Sequence, residues 1–207
     1  MSHVKPLFST RKLALNTSLI ITCMGLVGLA LPLYNAFLPI YLQQRSVSLG
    51  SGTVDDTYRT YTILAVLGIP GSFIAVIAAN LRSGGGKWRF GGRRFAMALC
   101  TSLTGIFLFL FTQAKNEKGV LGFNCALAVT QNAVYGLLYT YMPEVFPAPH
   151  RGTGCALCSA VHRVLSVLAP IVATYGDLTT NAPLFVSASL FLVTSVLMLL
   201  LPIEVSR

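Results

Sequence analysis

The hydrophobic residues of the chain fall into six blocks of about 20 or more positions, separated by short stretches that carry most of the charges. A helix of about 20 apolar residues is long enough to cross a hydrocarbon core roughly 30 Å thick. The pattern therefore predicts an all-α, polytopic membrane protein whose six transmembrane helices form one bundle over residues 13–201. The expected spans are 13–42, 60–81, 95–114, 119–142, 152–176 and 182–201.

The composition agrees with this pattern, because 54% of the residues are hydrophobic and only 10% are charged. A soluble globular domain has about 25% charged residues. A soluble enzyme, a nucleic-acid-binding domain and a disulfide-stapled secreted module are therefore excluded, despite the net charge of +9. We predict that the chain is not an enzyme, binds no cofactor or metal, and has the lipid bilayer and a small-molecule substrate as partners.

The basic residues predict the orientation of the spans. Of the fifteen Lys and Arg residues, ten lie in the N-terminal segment, the tail and the two loops that share their side, and four lie in the opposite loops. Cytoplasmic loops carry the excess of Lys and Arg. We therefore expect residues 1–12 to be a cytoplasmic N-terminal segment and residues 202–207 a cytoplasmic tail.

Proline and glycine interrupt three of the predicted spans. In lipid, a broken helix is tolerated only where protein or a watery cavity covers the break. The breaks indicate either a solute site near the midplane, as in many transporters, or ordinary packing kinks. The residues concerned are Pro32 and Pro39, which flank Tyr34 and Asn35, then Gly68, Pro70 and Gly71, and finally Pro170.

The fourth span carries a stripe of polar residues. Asn124, Gln131, Tyr135 and Tyr139 are spaced by seven, four and four positions, which places them on one helical face, and Asn132 lies beside them. Polar side chains on one face of an apolar span indicate a solvated cavity or hydrogen bonds between helices. Amides and phenols would bind a polar solute through directed hydrogen bonds and flat apolar faces.

Arg163 lies about 17 Å inside the fifth span at 1.5 Å per residue. An unpaired arginine at that depth costs on the order of 3 kcal/mol, and no Asp or Glu lies within the six spans. Its counter-charge is therefore a substrate anion, a carboxylate on another polypeptide segment, or carbonyls freed by helix kinks. The preceding His162 would serve in packing, in hydrogen bonding or in a proton relay.

Cys155 and Cys158 form a CxxC sequence on one helical face, among small residues that allow close helix packing. A redox pair or a metal site is the weaker interpretation, because further ligands are absent from the surrounding sequence.

Several motifs resemble the sugar-transporter-like branch of the major facilitator superfamily. The loop GGRR (91–94), the segment YTYMPEVFPAPHRGTG (139–154) and the terminal LPIEVSR (201–207) match motifs of its second half in order and spacing. Within that branch, GLALPLYNAFLPIYL (28–42) and TYRTYTILAVLGIPGS (57–72) are most similar to fungal transporters.

The resemblance implies twelve helices in two halves, of which this chain would be the C-terminal six-helix half, with substrate bound between the halves. Its first and fourth spans would line the central cavity. The candidate cavity residues are Tyr34, Asn35, Gln131, Asn132, Tyr135 and Arg163. The resemblance also implies cytoplasmic ion pairs that hold the outward-facing state, among Arg93, Arg94, Glu144 and Arg151. The alternative is that these charges only set topology and solvation.

Three functions follow as hypotheses. The first is secondary-active transport of a small polar solute, sugar-like or an organic ion, by alternating access in the plasma membrane. It requires a missing N-terminal half or a homo-oligomer partner, and this chain would be a C-terminal half or a truncated form. The second is a non-transporting interaction or regulatory fragment that associates with a full-length transporter. A membrane thiol enzyme using Cys155 and Cys158 is a third, less favoured interpretation.

Overall fold

The computed structural model describes residues 11–49, 54–80, 93–114, 117–175 and 182–201, which form six α-helices and a short 3₁₀ turn at Ala148–His150. No strand occurs in these ranges, which confirms the prediction of an all-α protein. Residues 1–10, most of the basic loop 82–94 and the tail 202–207 lie outside the described residues. The helices are α1 (Arg11–Leu49), α2 (Val54–Asn80), α3 (Arg93–Gln113), α4 (Glu117–Val145), α5 (Arg151–Tyr175) and α6 (Ala182–Leu199).

Five of the helices, α1, α2, α3, α5 and α6, contain segments long and apolar enough to cross a membrane. The fourth helix has 29 residues, about 44 Å at 1.5 Å per residue, so its length also suffices. Its Asn124, Gln131 and Asn132 lower the mean hydropathy of its central part. The polar stripe predicted from the sequence is thus the reason that α4 is not among the five apolar segments.

The helices pack in a pattern that contains an internal repeat. Helix α1 packs against α5 and α6, helix α4 packs against α2 and α3, and α3 packs against α6. Exchanging the first three helices for the last three maps this set of contacts onto itself. The bundle therefore consists of two three-helix repeats, although no repeat is evident in the sequence.

Helices α1 and α5 approach closely along a surface that we name the α1–α5 seam, formed by Gly25, Gly28, His162, Leu165 and Ser166. A Cβ atom at Gly28 would lie 2.5 Å from the carbonyl oxygen of His162, and one at Gly25 would lie 2.6 Å from a methyl carbon of Leu165. Both distances are too short for a real contact. Glycine is therefore required at position 28, where its missing side chain lets the two backbones meet, whereas at position 25 the leucine side chain could shift.

Hydrogen bonds from α5 also satisfy main-chain groups of α1. Pro32 has no N–H, so the carbonyl of Gly28 lacks its usual helical donor. The hydroxyl of Ser166 donates to that carbonyl at 2.8 Å, and Nδ1 of His162 lies 3.0 Å from the carbonyl oxygen of Met24. The proline in α1 is thus accommodated by a hydroxyl on the neighbouring helix.

Helices α2 and α4 meet at the α2–α4 seam, formed by Gly68, Gly71, Val129, Asn132 and Gly136. A Cβ atom at Gly71 would collide with the main-chain carbonyl of Val129, whereas one at Gly68 would lie 2.7 Å from Nδ2 of Asn132. The amide of Asn132 itself donates to the carbonyl of Ala128 on its own helix, at 2.8 Å. This seam thus also depends on glycine, but its polar side chain bonds within α4.

Helix α6 is attached to two helices of the first repeat by buried hydroxyl groups. Ser187 donates to the carbonyl of Ala30 in α1, and Ser195 donates to the carbonyl of Ala98 in α3, each at 2.7 Å. Such hydroxyl-to-carbonyl bonds connect helices where lipid supplies no hydrophobic driving force for association.

Candidate solute site and the ion pair between α3 and α4

The polar stripe of α4 divides into a buried end and an open end. At the buried end, Tyr34 of α1 is 4% exposed and Asn124 of α4 is 1% exposed. The Tyr34 hydroxyl donates to Oδ1 of Asn124, and its ring meets Phe111 edge-to-face at 6.3 Å between centroids. The structure therefore places Tyr34 in a contact between helices, closed to a solute, whereas Asn35 beside it is exposed.

The open end of the stripe forms an aromatic cluster of Tyr135, Tyr139 and His162. The tyrosine rings stack with centroids 6.1 Å apart and planes 19° from parallel. Tyr135 also meets the imidazole of His162 on α5 edge-to-face, at 5.9 Å and 78°. Tyr139 is exposed, and the other two are half-buried, so the cluster bridges α4 and α5 and remains accessible on one side.

Two amide side chains of α4 precede this cluster along the helix. Gln131 is half-buried one turn before Tyr135, and Asn132 is exposed beside the glycines of α2. Together, Gln131, Asn132 and the two phenols provide hydrogen-bond donors and acceptors beside flat rings. This arrangement suits a small solute that is polar at its edge and apolar on its face.

Arg163 is the thirteenth of the 25 residues of α5 and is exposed. The five apolar segments 13–40, 58–78, 93–113, 148–172 and 182–199 contain no Asp or Glu, so no acidic residue of these segments balances its charge. Because a charge at mid-membrane depth is costly, an exposed arginine there marks a surface that faces a polar environment or a partner.

The four residues predicted to form ion pairs are only partly brought together. Arg93 at the start of α3 forms an ion pair with Glu144 near the end of α4. Arg94 donates to the carbonyl of Leu201 after α6, and Arg151 is exposed at the start of α5. One of the predicted charged contacts is thus formed in this structure, while Arg94 ties α3 to the end of α6.

Phe146, which follows Glu144 by two residues, explains the glycine at position 154. Its ring is buried, and a Cβ atom at Gly154 would lie 2.7 Å from that ring. The glycine therefore lets the first turn of α5 pack over the segment that carries Glu144. This contact fixes the position of the α4–α5 connection, in which Pro147 precedes the 3₁₀ turn.

Sequence reasoning did not identify the contact between Tyr135 and His162. The two residues lie on different helices, so no spacing relates them. The thiol interpretation receives no support from the geometry, because Cys158 is fully buried and a substrate would not reach it.

Comparisons with known proteins give transporters as relatives. The chain is 44% identical over 202 residues to MFS siderochrome iron transporter 1 of Ceriporiopsis subvermispora, covering 98% of this chain and 37% of the relative. It is 35% identical to the major facilitator-type transporter hxnZ of Emericella nidulans, covering 98% of this chain and 35% of that relative. The niacin transporter NiaP of Acinetobacter baylyi is 34% identical over 84 residues, 41% of this chain and 19% of that relative. No family model matches.

The chain therefore spans little more than a third of the length of the first two relatives. Transporter relatives and five apolar helices together indicate an integral, multi-pass membrane protein.

Proposed function

Since the chain is homologous over nearly its whole length to a part of major facilitator transporters, we propose that it is the C-terminal, six-helix half, or a truncated form, of such a transporter. It would belong to the sugar-transporter-like, fungal-type branch. Its activity is secondary-active transport of a small polar solute, sugar-like or an organic ion, by alternating access. We place it in the plasma membrane with both termini in the cytoplasm.

The observation that carries this proposal is the open aromatic cluster of Tyr135, Tyr139 and His162, flanked by the amides of α4. A solute site needs flat apolar surface and a few directed polar groups. The relatives named for siderochrome iron and niacin support an organic solute, and the exposed charge of Arg163 favours an organic anion over a neutral sugar.

A second six-helix unit is the partner that this proposal requires. Among the five apolar segments, those of α2 and α5 bury the smallest share of their residues within the chain, although each of these helices forms one side of a seam. Their exposed valine, isoleucine and phenylalanine side chains are available for a partner. An N-terminal half, or a second copy of the chain, would cover them and close a cavity over the aromatic cluster.

Counterflow in proteoliposomes tests the proposed transport. The protein is expressed with the sequence that its own gene encodes and is reconstituted. Labelled glucose, tetraethylammonium and benzenesulfonate serve as probes of a neutral sugar, an organic cation and an organic anion. Exchange of at least one probe is expected, and Tyr135→Ala should reduce it at least tenfold. Gly122→Ala is the matched α4 control, since nothing lies within 4 Å of a Cβ there.

The ion pair between Arg93 and Glu144 is proposed to stabilise the state that is closed to the cytoplasm. Such a pair is a bistable element that opening of the inner face would break. Glu144→Gln should therefore increase labelling of a cysteine placed at the cytoplasmic end of α4, and reduce counterflow several-fold. The charge-swapped double variant Arg93→Glu with Glu144→Arg should restore both. Equal labelling in all three proteins would contradict a gating role.

The second candidate function is a non-transporting fragment that associates with a full-length transporter. The match to only 37% of the length of a relative supports this second function. It predicts association without exchange of any probe, and co-purification with a full-length relative then distinguishes it from an inactive preparation.

A further inference from the structure

His162 is an ionisable residue at the centre of the membrane-spanning region. It is the twelfth of the 25 residues of α5, half-buried, and in contact with α1 on one side and with α4 on the other. Its neighbour Ser166 makes a similar bond to α1 without an ionisable group. Hydrogen bonding to α1 therefore does not by itself require a histidine at position 162.

The contact with α1 assigns the tautomer of the imidazole. Nδ1 lies 3.0 Å from the carbonyl oxygen of Met24, and a carbonyl can only accept a hydrogen bond. Nδ1 therefore carries the hydrogen and donates it. In the neutral ring Nε2 is then the unprotonated nitrogen, which can take up a proton without disturbing the bond to α1.

The ionisable groups around His162 determine the electrostatic cost of adding a proton to it. On α4 the ionisable neighbours are Tyr135, whose ring it contacts, and Tyr139 beyond it. On its own helix they are Cys158 and Arg163, while on α1 it contacts Met24 and Gly28, neither of which has an ionisable side chain. Arg163 follows His162 directly, so a proton on Nε2 adds a second positive charge to a region whose apolar segments contain no acidic residue.

We propose that His162 is the residue that couples transport to protons, binding a proton at Nε2 together with an organic anion beside Arg163. Two like charges at low dielectric repel each other, whereas a bound anion attracts both. Proton binding and anion binding therefore favour each other, and by linkage the effect is reciprocal. The proton enters from external water as the anion binds, forms the imidazolium, and returns from Nε2 to cytoplasmic water when the anion leaves.

This inference rests on the proposed transport function, and its test separates the two. Benzenesulfonate is the probe, because it stays anionic at every pH used and does not cross the bilayer as a neutral acid. Proteoliposomes that contain the protein encoded by its own gene are assayed in two ways. Counterflow is measured without a proton gradient, and uptake is measured with an inward proton gradient. His162→Asn is the test variant, since its amide nitrogen retains a donor at the position of Nδ1 but does not titrate.

For the wild type we expect gradient-driven uptake of benzenesulfonate that a protonophore abolishes. His162→Asn should retain at least a tenth of the wild-type counterflow and lose the response of uptake to the gradient. Ser166→Ala removes the neighbouring bond to α1 without touching an ionisable group, so it should keep that response.

The other outcomes overturn one claim or the other. Gradient-driven uptake by His162→Asn, or by the wild type in the presence of protonophore, rejects His162 as the coupling residue. Counterflow of glucose or tetraethylammonium without benzenesulfonate also rejects it, while transport itself stands. A His162→Asn protein that has lost counterflow as well is compared with His162→Gln and His162→Ala, and equal loss in all three shows a structural role only. The absence of counterflow for all three probes in the wild type refutes the proposed function.

Discussion

The α1–α5 seam and the α2–α4 seam occupy equivalent places in the two three-helix repeats, yet they are built differently. Both bring two backbones together over glycine. At the α1–α5 seam, Ser166 also bonds across to the main chain of α1, whereas at the α2–α4 seam Asn132 bonds to its own helix. Equivalent helix packing is thus reached in two ways. The α1–α5 seam has hydrogen bonds between its helices, whereas in the α2–α4 seam the helices are in close contact and the hydrogen bond of Asn132 stays within α4.

The difference explains why no repeat is visible in the sequence. Helix α1 is equivalent to α4, and α5 is equivalent to α2, but Gly25 and Gly28 lie on α1 while Gly68 and Gly71 lie on α2. Two glycines of the α2–α4 seam thus lie on the helix that does not correspond to α1, while Gly136 lies on α4, which does. Close packing requires a thin surface, and either helix of the pair can supply it.

The largest effect is expected where an added methyl group would meet main chain in either seam. Gly28→Ala and Gly71→Ala should each lower the free energy of unfolding by about 1–3 kcal/mol, because a carbonyl cannot move aside as a side chain can. Unfolding in mixed micelles of nonionic detergent and dodecyl sulfate measures this. Gly122→Ala, with open space around its Cβ, should instead be neutral or stabilising by up to about 1 kcal/mol.

A result in which Gly28→Ala is as stable as Gly122→Ala would show that α1 and α5 separate without cost. The tight contact would then not hold the α1–α5 seam together. The same comparison for Gly71→Ala applies to the α2–α4 seam. The two losses in unfolding free energy then show which seam tolerates an added methyl group less.

The helices themselves were predictable from the sequence, and the partners of their side chains were not. The six predicted spans agree with the helices within a few residues at most ends, because long apolar blocks are a strong signal. The α4 stripe was also visible, but nothing in its spacing shows that Asn124 is buried against Tyr34 while Tyr135 meets His162. Periodicity gives the face of a helix, whereas the helix opposite that face depends on the tertiary arrangement.

A smaller effect is expected from the hydrogen bond that distinguishes the α1–α5 seam. Ser166→Ala should cost about 1 kcal/mol of unfolding free energy, because the carbonyl that Pro32 leaves without a helical donor loses its hydroxyl. In a Pro32→Ala background the restored N–H can serve that carbonyl, so the same substitution should cost less. A double-mutant cycle in mixed micelles measures the coupling.

Additive costs in that cycle would mean that Ser166 does not compensate for the proline. As a control, Ser189→Ala removes an exposed hydroxyl that bonds only to Val186 of its own helix. Its cost should lie within about 0.5 kcal/mol of zero.

The smallest effect is expected at Gly68, where the α2–α4 seam can yield. The atom facing an added methyl group is the amide nitrogen of Asn132, the far end of an exposed side chain, so Gly68→Ala should cost less than about 1 kcal/mol. Asn132→Ala removes that amide, and the double variant should be at least as stable as Asn132→Ala alone. If Gly68→Ala costs as much as Gly71→Ala in either background, the main chain rather than Asn132 resists the methyl group. The two seams would then be equally rigid, and their difference would lie only in the hydrogen bond from Ser166.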